Sequence, residues 1–364
     1  MLLDNEIWEQ LKGDNPLIIA GPCSAETEDQ VMQTARELIK DNRVNIYRAG
    51  IWKPRTKPGS FEGVGNVGLP WLQRIKKELK LPIAIEVANL KHVNEALKAD
   101  VDILWIGART TANPFAVQEI ADALKGVDIP VMVKNPVNPD VALWIGAIER
   151  LSEAGITKIA AIHRGISQFE KSTYRNNPEW QMVVKLKEQL PNLFLINDPS
   201  HIAGNRELIY KVSQTALDLN FDGLMIETHI DPKNAWSDAA QQVTPEQLTT
   251  ILDRLIVRAE IPEGIELKNI DELRKSINFI DEQIIDLLSY RSHVIKDIAK
   301  FKLNNGMTVF QKSRWSSLLA KHQKQAEKLS LEPKLISKVF HAIHQNSINT
   351  QNRLLSKAIK DTQQ

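Results

Sequence analysis

The sequence predicts a (β/α)₈ barrel followed by an all-helical domain, and three observations support this fold class. Up to about residue 258, short apolar runs rich in β-branched residues alternate with longer amphipathic stretches. Eight such units occupy roughly 250 residues, which is the usual size of a closed barrel of eight parallel strands. The residues after 266 contain one glycine and one proline, Gly306 and Pro333, and have a helical pattern throughout.

Each of the eight units begins with a predicted strand. The strands are LIIA at 17–20, VNIYR at 44–48, PIAIEV at 82–87, DILWIG at 102–107, PVMVK at 130–134, KIAAIH at 158–163, LFLIND at 193–198 and DGLMIE at 222–227. In such a barrel the carboxyl ends of the strands carry the active site. Reactive side chains stand at or just after every one of these ends, so we expect them to converge on one face. They are Cys23, Arg48, Lys53, Glu86, Arg109, Lys134, Arg164, His201 and Glu227.

The domain limits follow from the change in composition. We expect the barrel in residues 1–258, a linker in 259–267 and the helical domain in 268–364. Apolar residues recur at helical spacing from Ile270 to about Leu303. A helix of that span is roughly 50 Å long. This length is awkward for a monomer of that size and favours an entwined helical dimer.

The overall composition is that of an ordinary globular protein. The chain has 364 residues, 43% of them hydrophobic and 25% charged, and a formal net charge of +1. That balance gives no general attraction to nucleic acid or to a membrane, so anion binding must be local. No apolar run approaches roughly 20 residues, and acids interrupt the first segment, so we expect a cytoplasmic protein. Cys23, the single cysteine, cannot form an internal disulfide and leaves a free thiol.

The thiol, the imidazole and the carboxylates at the strand ends are typical of a metal site. They suit a borderline divalent ion such as manganese, iron, cobalt or zinc, whereas magnesium seldom binds sulfur. Taken singly, each residue has another interpretation. Cys23 would also fit as a core residue, and His201 as a residue at the start of a helix.

A second group of strand-end residues is basic. It consists of Arg48, Lys53, Arg55, Arg109, Lys134, Arg164 and Lys57. Side chains of one sign that face one another without an equal number of carboxylates indicate anionic ligands. A solvated charged surface is the alternative for any single residue, but the mouth of a barrel is concave.

Seven motifs together resemble the 3-deoxy-D-arabino-heptulosonate 7-phosphate (DAHP) synthase family. They are GPCS at 21–24, YRAGIWKPRT at 47–56, IGART at 106–110, VKNP at 133–136, HRG at 163–165, DPSH at 198–201 and MIETH at 225–229. The resemblance covers about residues 15–245 and follows the family's order. The KPRT segment distinguishes this family from the related octulosonate 8-phosphate synthases. The chain resembles the short microbial branch without extra barrel insertions.

The resemblance implies a condensation of phosphoenolpyruvate with erythrose 4-phosphate and a role for each matching residue. The implied ligands of the divalent metal, manganese or else iron, cobalt or zinc, are Cys23, His201, Glu227 and Asp238. The implied phosphoenolpyruvate contacts are Arg48, Lys53, Glu86, Arg109, Lys134 and Arg164. Arg55 and Thr56 would hold the phosphate of erythrose 4-phosphate. Asp231 lies close to Asp238 in the sequence and is the alternative fourth ligand.

The helical domain has its own set of cations. Arg291 and Lys302 are eleven residues apart and share a helix face, as do Ser347 and Gln351. Solvated charges would explain such spacings equally well. The segment from IDELRK to HQNSINTQNRLL, however, resembles the all-helical chorismate mutases over about residues 268–355.

This second resemblance implies that chorismate is rearranged to prephenate without a base or a nucleophile. Arg274 of one subunit, with Arg291 and Arg314 of the other, would bind the two carboxylates, and Lys302 and Gln351 would face the ether oxygen. Ser347 would also contact the substrate.

Two positions near the substrate hydroxyl depart from the mutase family. Trp315 stands where the family usually has Glu, and Gln311 where an acidic residue is common. The mutase activity is therefore expected to be reduced or compensated from elsewhere.

The sequence thus predicts a bifunctional enzyme of the pathway to aromatic amino acids. We expect a homodimer or higher homo-oligomer, with prephenate as a feedback ligand and with neither nucleic acid nor membrane as a partner. Two alternatives stay open. The helical domain could be a regulatory dimerisation module that only binds chorismate or prephenate, or the chain could be another metal aldolase barrel with an unrelated dimerisation tail.

Overall fold

A computed structural model describes residues 3–53, 59, 61–168, 172–259 and 267–362, without the side chains of 357–362. Contacts divide the chain into two compact units, Met1–Pro262 and Glu263–Gln364. None of the described helices is both long and apolar enough to cross a membrane.

The first unit is the predicted barrel. Eight parallel strands close in chain order. They are β1 (Leu17–Gly21), β2 (Val44–Arg48), β3 (Ile83–Val87), β4 (Ile103–Ile106), β5 (Val131–Lys134), β6 (Ile159–His163), β7 (Phe194–Asn197) and β8 (Gly223–Glu227). β8 closes the barrel on β1, with Leu17 opposite Gly223 and Gly21 opposite Glu227. Each strand lies within the predicted run or extends it by one residue, which confirms the predicted architecture.

Eleven helices of the first unit surround the strands or flank them. They are α1 (Glu6–Lys12), α2 (Glu28–Leu38), α3 (Gly68–Leu79), α4 (Leu90–Lys98), α5 (Ala108–Thr111), α6 (Pro114–Ala123), α7 (Val141–Glu153), α8 (Trp180–Gln189), α9 (Pro199–Ala203), α10 (Ile209–Asp218) and α11 (Pro245–Arg254). Several begin at a side-chain cap that accepts a hydrogen bond from a free backbone amide, as Asn89 does for α4, Asp198 for α9 and Thr244 for α11.

The side chains of each strand alternate between two apolar clusters. On β1, Leu17 and Ile19 fill the interior of the barrel, whereas Ile18 and Ala20 pack in the layer towards the helices. Helix α1, which the sequence pattern did not predict, adds the fully buried Trp8 to the interior cluster, where it stacks on Phe194 with 5.8 Å between ring centroids. Phe194 begins β7, so this packing fills the amino-terminal end of the barrel and leaves the polar residues at the other end.

The second unit contains three long helices. They are α12 (Lys268–Asn304), α13 (Lys312–Lys328) and α14 (Pro333–Thr362). Both α12 and α13 pack on α14. Helix α12 has 37 residues, slightly more than predicted, and is about 55 Å long. Along its amino-terminal half large apolar side chains are exposed, Leu273 to 67% and Ile277 to 57%.

Candidate functional site

The carboxyl ends of the barrel strands surround a polar cavity of about 230 Å³. The structure brings seven of the predicted site residues together in its lining. They are Lys53, Glu86, Arg109, Lys134, Arg164, His201 and Asp238. Arg55 and Thr56, predicted to hold the sugar phosphate, lie outside the described residues.

Three side chains of the types that can bind a metal form a tight cluster beside this cavity. One ligand atom each from Cys23, Glu227 and Asp238 lies within 4.8 Å of the other two. The pairing of β1 with β8 brings the first two residues together, because Gly21 lies directly opposite Glu227. Cys23 Sγ lies 3.2 Å from Asp238 Oδ2.

The geometry distinguishes Asp238 from Asp231, the alternative candidate for the fourth metal ligand. Asp238 has a φ of +49° and contacts the thiol. Asp231 instead accepts a hydrogen bond of 2.7 Å from Asn234 Nδ2 in an exposed turn. Of the two acids, Asp238 is therefore the one placed to share a metal with Cys23.

His201 adjoins the cluster from α9. Its Nε2 lies 3.7 Å from Glu227 Oε1. Asp198, which caps α9, accepts a hydrogen bond from the His201 backbone amide at 3.1 Å, and its Oδ2 lies 2.8 Å from His201 Nδ1. A carboxylate beside one imidazole nitrogen orients the ring and leaves the other nitrogen for a metal. Burial lowers the pKa of His201, although Asp198 and Glu227 raise it.

The charges of the cluster are suited to a bound cation. Burial, followed by the charge of Glu227, raises the pKa of the Cys23 thiol to about 12. Burial also opposes ionisation of Glu227, but His201 and Arg48 outweigh it and lower the pKa of that carboxyl. Glu227 Oε1 is buried and accepts no hydrogen bond from the described residues. A divalent ion would supply the missing partner and favour the thiolate.

Arg48 lies beneath this cluster, at the end of β2. It is almost fully buried, and its Nη2 lies 3.4 Å from Glu227 Oε1. Its guanidinium carbon is 4.8 Å from the centroid of the Trp105 ring. Its Nε and Nη1 have no hydrogen-bond partner among the described residues. Two buried donors are therefore available to an anion.

Two other cations at the strand ends already have protein partners. Lys134 Nζ lies 2.6 Å from Asp198 Oδ2. Lys53 Nζ donates a hydrogen bond of 2.6 Å to the Cys23 carbonyl. The basic group is thus compensated in part, because β7 brings Asp198 to the same end of the barrel as Lys134.

Arg164 and Glu86 also line the cavity. Arg164 Nη1 donates to Asn176 Oδ1 at 2.7 Å, and burial lowers the pKa of Arg164 to about 10. The guanidinium therefore keeps its charge at neutral pH. Glu86 passes directly over Gly107, where an added Cβ would stand 2.0 Å from Glu86 Oε1.

Three residues of the site were not predicted, namely Arg175, Gln241 and Asp198. Arg175 Nη1 donates to Asp238 Oδ1 at 2.9 Å and to Gln241 Oε1 at 2.5 Å. Gln241 Nε2 in turn donates to Glu227 Oε2 at 2.7 Å. Asp198 stood within the quoted DPSH motif and was detectable there as a strand-end carboxylate. Arg175 lies in a loop and Gln241 ends a short 3₁₀ helix, Ala239–Gln241, and strand-end reasoning gives no signal at either position.

The helical unit brings three of its six predicted site residues into one connected group. Arg291 Nη1 donates to Ser347 Oγ at 2.6 Å, and Gln351 Nε2 donates to the Ser347 carbonyl at 3.2 Å. Lys302 is 9% exposed and donates to the Val309 carbonyl at 2.6 Å.

The two remaining predicted residues of the helical unit lie apart from this group. Arg314 is exposed. Arg274 is exposed as well and pairs with Asp271 at 3.2 Å. Arg274 lies in the second turn of α12.

The barrel with its cluster of acids, thiol and cations defines an enzyme acting on anionic substrates. Residues 6–260 match the model of the DAHP synthetase I family, and residues 273–352 match that of type II chorismate mutase. The chain therefore belongs to the DAHP synthetase I family and carries a fused chorismate mutase domain. This confirms the predicted pair of activities in aromatic biosynthesis and decides against an unrelated aldolase barrel.

Individual relatives agree with this assignment. A phospho-2-dehydro-3-deoxyheptonate aldolase from Thermotoga maritima is 30% identical over 238 residues, 65% of this chain and 68% of the relative. A 2-dehydro-3-deoxyphosphooctonate aldolase from Desulfotalea psychrophila is 29% identical over an alignment that spans 69% of this chain and 92% of the relative. A crystal structure of the Thermotoga maritima DAHP synthase superposes with a TM-score of 0.59 at 30% identity, covering 65% of this chain and 67% of that one.

Proposed function

We propose that the barrel condenses phosphoenolpyruvate with erythrose 4-phosphate at a divalent metal held by the four predicted ligands. They are Cys23, His201, Glu227 and Asp238. The observation that carries this proposal is the meeting of a thiol and two carboxylates within 4.8 Å beside a basic cavity. Sulfur in the set favours manganese, iron, cobalt or zinc over magnesium, and manganese is our first choice.

The residues of the site fit such an ion, and each has a separate task. The ion would polarise the aldehyde of the sugar phosphate and stabilise the alkoxide that forms from it. Asp198 orients His201 through the contact at Nδ1. Arg175 fixes the Asp238 carboxylate through Oδ1, which leaves Oδ2 on the side of the thiol.

The cavity cations bind and orient phosphoenolpyruvate. The proposed contacts are these cations, together with the carboxylate of Glu86: Arg48, Lys53, Glu86, Arg109, Lys134 and Arg164. The unpartnered Nε and Nη1 of Arg48 are suited to a carboxylate or phosphate oxygen. C3 of phosphoenolpyruvate attacks the aldehyde carbon, water adds at C2, and phosphate leaves by cleavage of its C–O bond. Arg55 and Thr56 would hold the second phosphate, a role that rests on the KPRT motif alone.

Two carboxamide variants test the metal site. We expect Asp238→Asn to lose bound manganese and the formation of DAHP, because it removes a carboxylate ligand. Asp231→Asn is the matched control and should keep both. Metal content is measured by elemental analysis after dialysis, and activity as phosphoenolpyruvate consumed with erythrose 4-phosphate. The reverse pattern, with Asp231 required and Asp238 dispensable, would contradict the ligand set.

The choice of aldehyde needs its own measurement, because the relatives include octulosonate aldolases. We expect condensation with the four-carbon erythrose 4-phosphate and little with a five-carbon aldose phosphate. A preference for the longer sugar would contradict the use of the KPRT motif to distinguish this chain from the octulosonate 8-phosphate synthases.

For the helical domain we propose a mutase site shared between two subunits. Arg291 and Arg314 of one subunit, with Arg274 of the other, would bind the carboxylates of chorismate. Lys302 and Gln351 would face the ether oxygen, with Ser347 beside them. Restraint and charge stabilisation are sufficient for a pericyclic rearrangement. The buried Gln351 Oε1, which has no partner among the described residues, supports a ligand there.

Two lysine variants test this site. Lys302→Ala should abolish most of the conversion of chorismate to prephenate. The nearby exposed Lys300, which pairs with Asp297 at 3.7 Å, is the control, and Lys300→Ala should leave the rate unchanged. A Lys302→Ala protein that rearranges chorismate at the full rate would refute the site.

The exposed apolar side chains of α12 support a homodimer through the helical domain. Leu273 and Ile277 lie one helical turn apart, and both are more than half exposed in the single chain. We expect Leu273→Glu to shift the native mass towards that of a monomer in size-exclusion chromatography with light scattering. An unchanged oligomer would contradict the role of this face.

We further propose that prephenate at the helical domain regulates the barrel of a cytoplasmic enzyme. The proposed domain limits are 1–258, 259–267 and 268–364. Coupling between sites must appear as a change in one activity when the other site is filled. Prephenate should therefore inhibit DAHP formation by the full chain, and a chain cut at about residue 262 should keep that activity and lose the inhibition. Equal inhibition of both proteins would place the effector site in the barrel.

A further inference from the structure

Trp315 of α13 and His344 of α14 form a stacked pair in the helical unit. Their ring centroids are 4.0 Å apart and their planes differ by 10°. His341 packs edge-on against the same Trp315 at 5.0 Å, and Phe310 lies 5.9 Å from His344. These contacts fix the plane of the His344 imidazole and hence the direction of its Nε2.

The Nε2 atom of His344 has no protein partner. It is buried and makes no hydrogen bond to any described residue, and the same holds for Gln351 Oε1. The two residues are seven positions apart on α14, about two helical turns, so they lie on one face, with Ser347 between them. Folded proteins pair the great majority of buried polar atoms. Two unpaired atoms on one helix face therefore indicate a polar ligand.

The charges around His344 define what kind of ligand contact it makes. Burial lowers the pKa of His344, and the charges of Arg291, His341 and Lys302 lower it further. The imidazole is therefore neutral at neutral pH and adds no charge beside the cations of the mutase site. A neutral imidazole nitrogen is a good partner for a hydroxyl group, which both donates and accepts.

We propose that His344 Nε2 hydrogen-bonds the ring hydroxyl of bound chorismate, with Trp315 holding the imidazole in position. This inference rests on the proposed mutase site, in which the carboxylates and the ether oxygen already have partners. The hydroxyl is the remaining polar group of chorismate. The departures at Gln311 and Trp315 remove the acids expected near that hydroxyl, and the stacked Trp315–His344 pair supplies a neutral contact instead.

The test compares chorismate with an analogue in which hydrogen replaces the ring hydroxyl. In the full chain, His344→Phe keeps a flat ring against Trp315 and removes Nε2. We expect its kcat/KM for chorismate to fall about tenfold, as for the loss of one hydrogen bond, with little change for the analogue. His341→Phe is the control and should keep the native preference, because phenylalanine keeps a ring edge-on against Trp315 and the His341 Nδ1 that it removes already contacts the Ser337 carbonyl at 2.7 Å.

Loss of the preference for chorismate over the analogue in His344→Phe, but not in His341→Phe, supports the contact. Recovery of that preference in His344→Gln supports it further. An unchanged preference in His344→Phe, or an equal loss on both substrates, overturns it and assigns the unpaired nitrogen to subunit packing. Should the Phe variant lose its helical circular dichroism, His344→Met, a flexible apolar filler, provides the same comparison. A native chain unable to rearrange chorismate would refute the proposed mutase function itself, which is a distinguishable result.

Discussion

Gly107 offers a way to move one residue of the barrel site without unfolding the protein. It lies between β4 and α5 with φ −72° and ψ 156°, a conformation open to any residue. A Cβ added there would stand 2.0 Å from Glu86 Oε1, whereas ordinary contact begins at 3.4 Å. In Gly107→Ala the carboxylate oxygen must therefore move by about 1.4 Å. Because it is the end of a flexible side chain, the fold can accommodate the change.

We expect Gly107→Ala to separate activity from stability. A misplacement of about 1 Å in a catalytic site can cost on the order of a hundredfold in rate, so kcat/KM for DAHP formation should fall by about that factor. The free energy of unfolding in urea should change by less than about 1 kcal/mol. Activity is measured as loss of phosphoenolpyruvate absorbance at saturating manganese.

Gly146→Ala is the matched control for this substitution. Gly146 lies within α7, and an added Cβ there would meet nothing within 4 Å. The variant should keep full activity and gain about 0.5–1 kcal/mol from its helix position. If Gly107→Ala is as active as the native protein, the position given to Glu86 in the site is wrong.

Three further substitutions test other parts of the molecule. Arg175→Ala should weaken manganese binding, because it releases Asp238 Oδ1. Competition with a chelator measures the affinity, and an unchanged affinity would show that the carboxylate needs no support from Arg175. Asp41→Asn should lower the free energy of unfolding by about 1–2 kcal/mol, because it breaks a charged pair with Arg43. The hydrogen bond from Arg43 lowers the pKa of Asp41 from 3.8 to about 2. The difference in free energy of unfolding between the native protein and the variant should therefore be complete above pH 3.8 and vanish as the pH falls through 2. A difference that stays constant over that range would contradict this pairing. Trp8→Ala should cost about 3–5 kcal/mol in urea unfolding, since it empties the amino-terminal end of the barrel, and a loss below 1 kcal/mol would contradict that packing.

The barrel strands could be predicted because parallel strands are buried on both faces. β1, β6 and β8 are buried at every position, and such strands give nearly continuous apolar runs in the sequence. Helix α1 has only seven residues and one buried side chain, Trp8, so its pattern was too short to detect.

The sequence predicts which side chains lie at the carboxyl ends of the strands, but only some of the contacts between them. Strand-end position is a property of the sequence, and it places Glu227 and Lys134 at the same end of the barrel. The pairing of Lys134 with Asp198 depends on how β5 and β7 stand in the closed barrel, which periodicity does not determine. Arg175 approaches Asp238 from a loop 63 residues earlier in the chain, and no local pattern specifies that contact.

The most direct test of the metal site is the optical spectrum of the cobalt-substituted protein. Cobalt(II) added to the metal-free native chain should produce the near-ultraviolet charge-transfer absorption of a thiolate–cobalt bond at one equivalent. Cys23→Ser should lack that band, because Cys23 is the only thiol in the chain. A native protein that binds cobalt without this absorption, while it condenses phosphoenolpyruvate with erythrose 4-phosphate, would contradict the assignment of Cys23 to the metal.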